Sequence, residues 1–308
     1  MGRLVLAAVL AAVAAATSRR RVRVLRFTRV VADLERSEAF YRDGLGMEVA
    51  GRGAGDPMLA VRLGVPGAEM HEVALRCGRE EVALVRFDPP GAPSPASRRS
   101  NDLAFQHLAV VVGDMQAAYD ILGHQAPQPI SAGGPQTLPA RNGGVSAFKF
   151  RDPDGHPLEL IHFPPGQGRA IWRHAGATPV LGLDHSALAV ADTARSVRFY
   201  RRLGFHPTTR SLNYGPAQAR LDGLPGARLL VTGLRPRSGL GAGLELLAYR
   251  PPGQRAAPAP VDGAGAQWVT ILAPWLRDAG PKVLRDPDGH LMVLVNPGWA
   301  GRRRHGGR

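Results

Sequence analysis

The stretch Arg151-Asp152-Pro153-Asp154-Gly155-His156-Pro157-Leu158-Glu159-Leu160-Ile161 decides how the whole chain is read. Asp-Pro-Asp-Gly is a tight-turn sequence, with proline at the second turn position and glycine at the fourth. An apolar strand follows, and alternation along it sets Glu159, Ile161 and Phe163 on one face and Leu158, Leu160 and His162 on the other. The string returns as Arg285-Asp286-Pro287-Asp288-Gly289-His290-Leu291-Met292-Val293-Leu294, with valine where the carboxylate stood. The twice-used turn is scaffold. The glutamate present in only one copy is where function can enter.

Upstream of these turns a second string repeats. Asp33-Leu34-Glu35-Arg36-Ser37-Glu38-Ala39-Phe40-Tyr41-Arg42 matches Asp192-Thr193-Ala194-Arg195-Ser196-Val197-Arg198-Phe199-Tyr200-Arg201, and both run on to Leu-Gly at 45–46 and 203–204. Aspartate caps the start of such a helix, the Phe-Tyr pair supplies its buried face and glycine stops it. A short apolar strand precedes each copy, Val24 to Val31 and His185 to Val190. A weaker third copy runs from His107 through Asp114 to Leu122-Gly123, and a fourth begins at Gln267-Trp268-Val269 with barely room for a helix. Three apolar runs come after each helix. In the first unit they lie around Met47–Ala50, Met70–Arg76 and Glu81–Phe87, and in the third around Phe205–Ser211, Gln218–Gly233 and Gly243–Tyr249. The chain thus reads as an α+β protein of four βαβββ modules, the fourth shortened, at 22–90, 102–165, 182–250 and 264–297. Consecutive grouping gives domains 22–165 and 182–297, joined by a linker at 166–181 and trailed by a basic tail at 298–308. One unit cannot cover its own sheet, so the units pair.

Composition narrows the classes. The 308 residues are 44% hydrophobic and 21% charged, an ordinary globular balance. Cys77 is the sole cysteine, which excludes an internal disulfide framework and a cysteine-based metal cluster. The formal charge of +14 is spread through the repeats, apart from Arg19 to Arg23 and the tail, and lysine occurs only at 149 and 282. Without a recognition motif or an aromatic stacking platform, the reading is no nucleic-acid partner but a small-molecule substrate, with anions weakly favoured. The apolar run Leu4 to Ala16, ending Ala14-Ala15-Ala16, has the length and ending of a signal peptide and is too short for stable membrane insertion. Arginines at 19, 20, 21 and 23 oppose export of the adjoining downstream segment. The balance favours an exported protein, periplasmic or secreted, over a cytoplasmic one with an alanine-rich leader at 1–21. Oligomeric state is not legible.

The opening Asp-x-x-Arg-Ser-x-x-Phe-Tyr and the closing Asp-Pro-Asp-Gly-x-x-x-Glu-Leu resemble the vicinal oxygen chelate superfamily over nearly everything from Val22 to Pro297. That superfamily includes glyoxalase I, extradiol dioxygenases, bleomycin- and fosfomycin-resistance proteins and methylmalonyl-CoA epimerase. The resemblance implies two cupped mixed sheets, each made of two modules around a divalent metal, with ligands on the first and last strand of each module. Its first-strand ligand lies seven residues before the capping aspartate, which selects His107 and His185, places Arg26 in the first module and aligns Gln267 in the fourth. Its last-strand ligand falls on Glu159 and Glu245, and on Ala83 and Val293 in the outer modules.

Two pairings stay open at this point. Sequential pairing leaves His107 and Glu159 in one cup and His185 and Glu245 in the other, both incomplete. Pairing the second module with the third and the first with the fourth concentrates His107, Glu159, His185 and Glu245 in one cup and leaves the other metal-free. The concentration of ligands favours the latter. Two imidazoles and two carboxylates suit a six-coordinate Ni, Fe, Mn, Co or Mg ion, or an expanded Zn site, with positions left for two adjacent substrate oxygens. The resemblance then implies a glyoxalase I-like lyase or isomerase working through a metal-stabilised enolate, with Glu159 or Glu245 carrying the proton. An extradiol-type ring-cleaving dioxygenase is the second expectation, weakened because its ligand positions here hold His185, Gln267 and Val293. A non-enzymatic, resistance-type binder is the third. His124, His156, His162 and His290 lie off the pattern and read as turn or surface residues, Arg26 as a solvent-exposed arginine, and Tyr41 and Tyr200 as core.

Overall fold

The computed structural model describes residues 22–93, 98–172, 179–254, 260–277 and 280–300. The leader to residue 21 and the tail from residue 301 lie outside the described residues.

The first module runs β1 (Arg23–Val30), α1 (Leu34–Ala39), β2 (Glu48–Ala54), α2 (Pro57–Leu63), β3 (Glu69–Cys77) and β4 (Glu80–Asp88). The second runs β5 (Gln106–Val112), α3 (Met115–Gly123), the two-residue strands β6 (Gln128–Pro129) and β7 (Gln136–Thr137), β8 (Ser146–Arg151) and β9 (Pro157–His162). The third is β10 (Val180–Ala189), α4 (Thr193–Arg202), β11 (Phe205–Tyr214), α5 (Pro216–Leu221), β12 (Arg228–Pro236) and β13 (Gly243–Tyr249). The fourth has β14 (Gln267–Leu272), β15 (Lys282–Arg285) and β16 (Leu291–Val295), with no helix among the described residues between these strands. Asp33, Asp114 and Asp192 each accept a hydrogen bond from the backbone three residues on, as helix caps do.

Helix α5 takes up the start of the strand expected over Gln218–Gly233, and α2 fills the gap between the runs expected around Met47–Ala50 and Met70–Arg76. Pro57 and Pro216 sit in the first turn, where proline gives up no helical hydrogen bond. Asp56 caps α2, and Gly64 ends it in the left-handed region at φ 88°. Among the described residues no helix is long and apolar enough to cross a membrane.

The strands form two mixed sheets. One has the order β15-β16-β14-β1-β4-β3-β2 and so joins the first module to the fourth; the other, β11-β12-β13-β10-β5-β9-β8-β6 with β7 beside β8, joins the third to the second. At each centre two first strands run antiparallel, β1 against β14 and β5 against β10. Residues 22–165 and 182–297 are therefore divisions of the sequence, each contributing one module to each sheet. One face of both sheets shares a single core with the helices, in which Phe27, Leu84, Leu108, Leu160, Leu188, Tyr41 and Tyr200 all take part. The other face of each sheet forms a cup.

The repeated turns tie the two sheets together. The Tyr41 hydroxyl donates to Asp152 (2.9 Å) and the Tyr200 hydroxyl to Asp286 (2.9 Å), so each Phe-Tyr helix is anchored on the turn of the following module. His156 is buried, with Nδ1 2.8 Å from Asp152 Oδ2 and Nε2 3.0 Å from the Ala266 carbonyl. His290 is buried too, with Nε2 2.9 Å from the Ala189 carbonyl. Both histidines lie in turns, but their rings are joints between modules rather than surface groups.

Candidate metal centre

His107, Glu159, His185 and Glu245 stand on β5, β9, β10 and β13, four strands adjacent in the order β13-β10-β5-β9. The register brings them together. Ala109, two residues after His107, pairs with Glu159; Ala187, two after His185, pairs with both Glu245 and His107. A step of two returns a strand to the same face, so all four side chains enter one cup. Leu108, Leu158, Leu160 and Leu244 point the other way into the core.

His107 Nε2 lies 3.2 Å from Glu159 Oε2, and His185 Nε2 lies 4.0 Å from the same oxygen and 3.5 Å from Glu245 Oε2. One ligand atom from each of His107, Glu159 and His185 falls within 4.8 Å of the others, and all three residues are buried. Glu245 stands at the rim with its side chain 24% exposed, against 7% for that of Glu159. Both nitrogens of His107 and Nε2 of His185 have no hydrogen-bond partner although they are buried. Orphaned imidazole nitrogens facing a buried carboxylate are costly in a dry cup, and a divalent cation held among them would offset that cost through the nitrogens that face it. The residues present fit such an ion.

Burial and neighbouring charges set the protonation of each group. Burial pushes the His107 pKa down to about 4, so the ring is neutral and able to ligate at neutral pH. Burial alone would raise Glu159, but His107, Lys149 and His185 outweigh it and hold the carboxyl at about 2. His185 goes the other way, to about 9. Burial pulls it down, but the charges of Glu245, Asp184 and Glu159 prevail. Burial and the nearby Glu159 and Asp184 charges raise Glu245 above the usual carboxylate range, against the pull of His185.

Two supports around the cup were not foreseen from sequence. Asp184 accepts from His185 Nδ1 at 3.0 Å, so that when the ring is neutral Nε2 is the lone-pair nitrogen facing the cup. Asp184 is itself held by two hydrogen bonds of 2.8 Å from Arg235 and one of 3.1 Å from Trp172 Nε1. On the other side Lys149, on β8 opposite Glu159, puts its ammonium 4.0 Å from Glu159 Oε1 and 2.6 Å from Asp222 Oδ1. Asp222 closes α5 and also accepts from Gln218. Asp184 could have been suspected as the neighbour of His185. The Lys149–Asp222 pair spans two modules and leaves no mark in local sequence.

The other cup has no comparable group among its described residues. Arg26 is buried rather than exposed, and its guanidinium is paired with Glu72 (2.6 and 3.0 Å) and Glu81 (3.1 Å). Ala83 and Val293 lie in an apolar cluster with Val85, Phe87, Trp268 and Trp299. Here the alignment of Gln267 is off by one. Thr28 pairs with both Ala83 and Trp268, and Thr270 pairs with both Val293 and Arg26, so Trp268 is the counterpart of His107 and His185. Gln267 is on the opposite face and donates to the Gln106 carbonyl at 3.0 Å.

Comparison with known proteins points the same way. The sequence model of the Glyoxalase/Bleomycin resistance protein/Dioxygenase superfamily matches residues 23–160. Among solved structures, glyoxalase I from Zea mays superposes with a TM-score of 0.59 at 18% identity, covering 93% of this chain and 96% of that one. A mutant of that enzyme gives 0.60 at 19%, covering 92% and 97%. A Bacillus subtilis protein held to be a dioxygenase gives 0.52 at 14%, covering 91% and 87%. No curated protein sequence matches the chain. At these identities the likeness is one of fold, but it spans all four modules. Residues 23–160 thus match the model of the Glyoxalase/Bleomycin resistance protein/Dioxygenase superfamily, and the fold seen in glyoxalase I extends over nearly the whole chain.

Proposed function

We propose that the protein is a divalent-metal-dependent enzyme of the glyoxalase I kind, a lyase or isomerase that moves a proton on a small substrate bearing two adjacent oxygens. The observation that carries this reading is the convergence of His107, Glu159 and His185 in one buried group, with Glu245 at its edge. A cation held there supplies Lewis acidity toward the two substrate oxygens. The protein groups divide the remaining work. Glu159 is fixed between His107 and Lys149 and serves to hold charge. Glu245 is more exposed, approaches His185 only to 3.5 Å and has a raised pKa, the properties of a carboxylate that can swing and accept a proton. Asp184 keeps the His185 ring in one tautomer while this happens. The test is metal analysis of the purified protein, with solvent deuterium incorporation into α-hydroxycarbonyl compounds followed by proton NMR. Bound metal lost in both His107→Ala and His185→Ala, and exchange lost in Glu245→Gln, support the reading. Metal retained in either histidine variant overturns the shared site.

One observation favours a second reading. His107, His185 and Glu159 alone make a two-histidine, one-carboxylate set, the donor set of non-haem Fe(II) oxygenases. If Glu245 stays at the rim, ring-cleaving oxygen chemistry becomes the better description. Oxygen uptake with catechols that survives Glu245→Gln would select it over proton transfer.

A further inference from the structure

The seam between the two repeated turns holds a second group of unsatisfied polar atoms, separate from the metal cup. Two adjoining solvent-open hollows are both lined by Arg98, Ala104, Gln106, Gly265 and Gln267. Arg151 borders one and Arg285 the other, and these are the arginines that open the two Arg-Asp-Pro-Asp-Gly strings. Arg98 Nε and Nη2 are buried without a hydrogen-bond partner, and its Nη1 has only a 3.3 Å contact with the Ala104 carbonyl. Arg151 donates to the Gly155 carbonyl (3.1 Å) and to the Arg98 carbonyl. Among the described residues neither guanidinium has an ion-pair partner. The carboxylates lining the hollows are engaged elsewhere, Asp154 by Ala32, Arg36 and Ser37 and Asp288 by the Ala191 amide. Burial lowers the pKa of both arginines, for Arg98 against the pull of Asp102, and for Arg151 together with the charge of Arg98 and against the pull of Asp152. Two partly desolvated like charges side by side call for an anion.

The remaining orphan narrows the class. Gln267 Nε2 is committed to the Gln106 carbonyl, which leaves Oε1 buried without a donor. A carboxylate or sulfate would satisfy the arginines but has no hydrogen to give Gln267. A hydrogen phosphate group has both, acceptor oxygens for guanidinium forks and a P–OH donor for the amide oxygen. We propose that the seam lined by Arg98, Arg151 and Gln267 binds a phosphate group, as inorganic phosphate or the phosphoryl end of a small monoester. The site is independent of the metal centre. Gln106 borders it, whereas the His107 side chain leaves β5 on the opposite face.

The test is calorimetric titration of the full chain with inorganic phosphate, glycerol phosphate, sulfate and acetate at fixed ionic strength. Phosphate should bind saturably and at least tenfold tighter than sulfate or acetate. Arg98→Met should weaken it at least tenfold, whereas Arg201→Met, at an exposed arginine that lines neither hollow, should leave it unchanged. Gln267→Leu should shrink the preference for phosphate over sulfate. Arg98→Met leaves the turn contacts of Arg151 in place, so thermal melts of that variant separate loss of binding from loss of fold. Glycerol phosphate binding as well as phosphate marks a monoester site, and phosphate alone marks a free-phosphate site. No saturable phosphate binding, equal losses in Arg98→Met and Arg201→Met, or affinity untouched by Arg98→Met would each overturn the proposal.

Discussion

His185 Nδ1 is 3.0 Å from Asp184 Oδ2, and that carboxylate is gripped from behind by both Nη2 hydrogen bonds of Arg235. The ring is thus oriented before any ion arrives. Replacing Asp184 with asparagine keeps the shape but removes the charge that fixes the tautomer. Metal affinity, measured by competition with a chromophoric chelator, should fall by roughly 10- to 100-fold, the range for such outer partners. Unchanged affinity would mean that the ring is held by packing alone.

The same contact sets a pH dependence. The folded-state pKa of His185 is raised from 6.5 to about 9, so its proton stabilises the metal-free fold below pH 6.5 and that contribution is lost as pH rises through 9. A cation needs the neutral ring and must expel the proton below that value. Between neutral pH and about 9, affinity should climb roughly tenfold per pH unit with release of about one proton, read by titration in buffers of different ionisation heat. His107, at about 4, and Glu159, at about 2, are already deprotonated and add nothing in that window. A flat profile would show that His185 titrates like an ordinary imidazole.

Lys149 and Asp222 form a buried pair at 2.6 Å joining β8 to the end of α5. Lys149→Met strands the Asp222 carboxylate and should cost about 3–5 kcal/mol in denaturant unfolding, whereas the double change with Asp222→Leu should recover much of it. If the double variant is as unstable as the single one, the pair acts through something other than charge.

Legibility in the sequence tracks the range of each interaction. The Asp-capped helices and the Asp-Pro-Asp-Gly turns are local devices, so their recurrence revealed four modules. His107 and His185 could be picked out because each lies seven residues before a capping aspartate, Glu159 because it follows an Asp-Pro-Asp-Gly turn, and Glu245 from its place in the last apolar run of its module. Gln267 was misplaced because the fourth module lacks the capping aspartate that anchors the count, and the strand register moves the position to Trp268. Helix α5 was hidden inside an apolar run, although Pro216 marks its start. Lys149, Asp222 and the Arg98–Arg151 seam depend on side chains meeting across modules, which no offset along the chain encodes.

The register that puts Trp268 opposite Thr28 bears on how many ions the protein carries. In the first-and-fourth-module cup, Trp268 occupies the first-strand ligand position and packs with Ala83, Val85, Phe87, Val293 and Trp299. An indole cannot coordinate a cation, and Arg26 at the other first-strand position is neutralised by Glu72 and Glu81. Metal analysis should therefore give one ion per chain. Trp268→Ala should leave that ratio unchanged while lowering stability by about 3–5 kcal/mol, as expected for a buried aromatic replaced by a cavity. Two ions per chain in the wild type would show that a second centre forms from groups outside this cluster. Loss of the single ion in folded Trp268→Ala would show that the two cups are coupled through the shared core between the sheets.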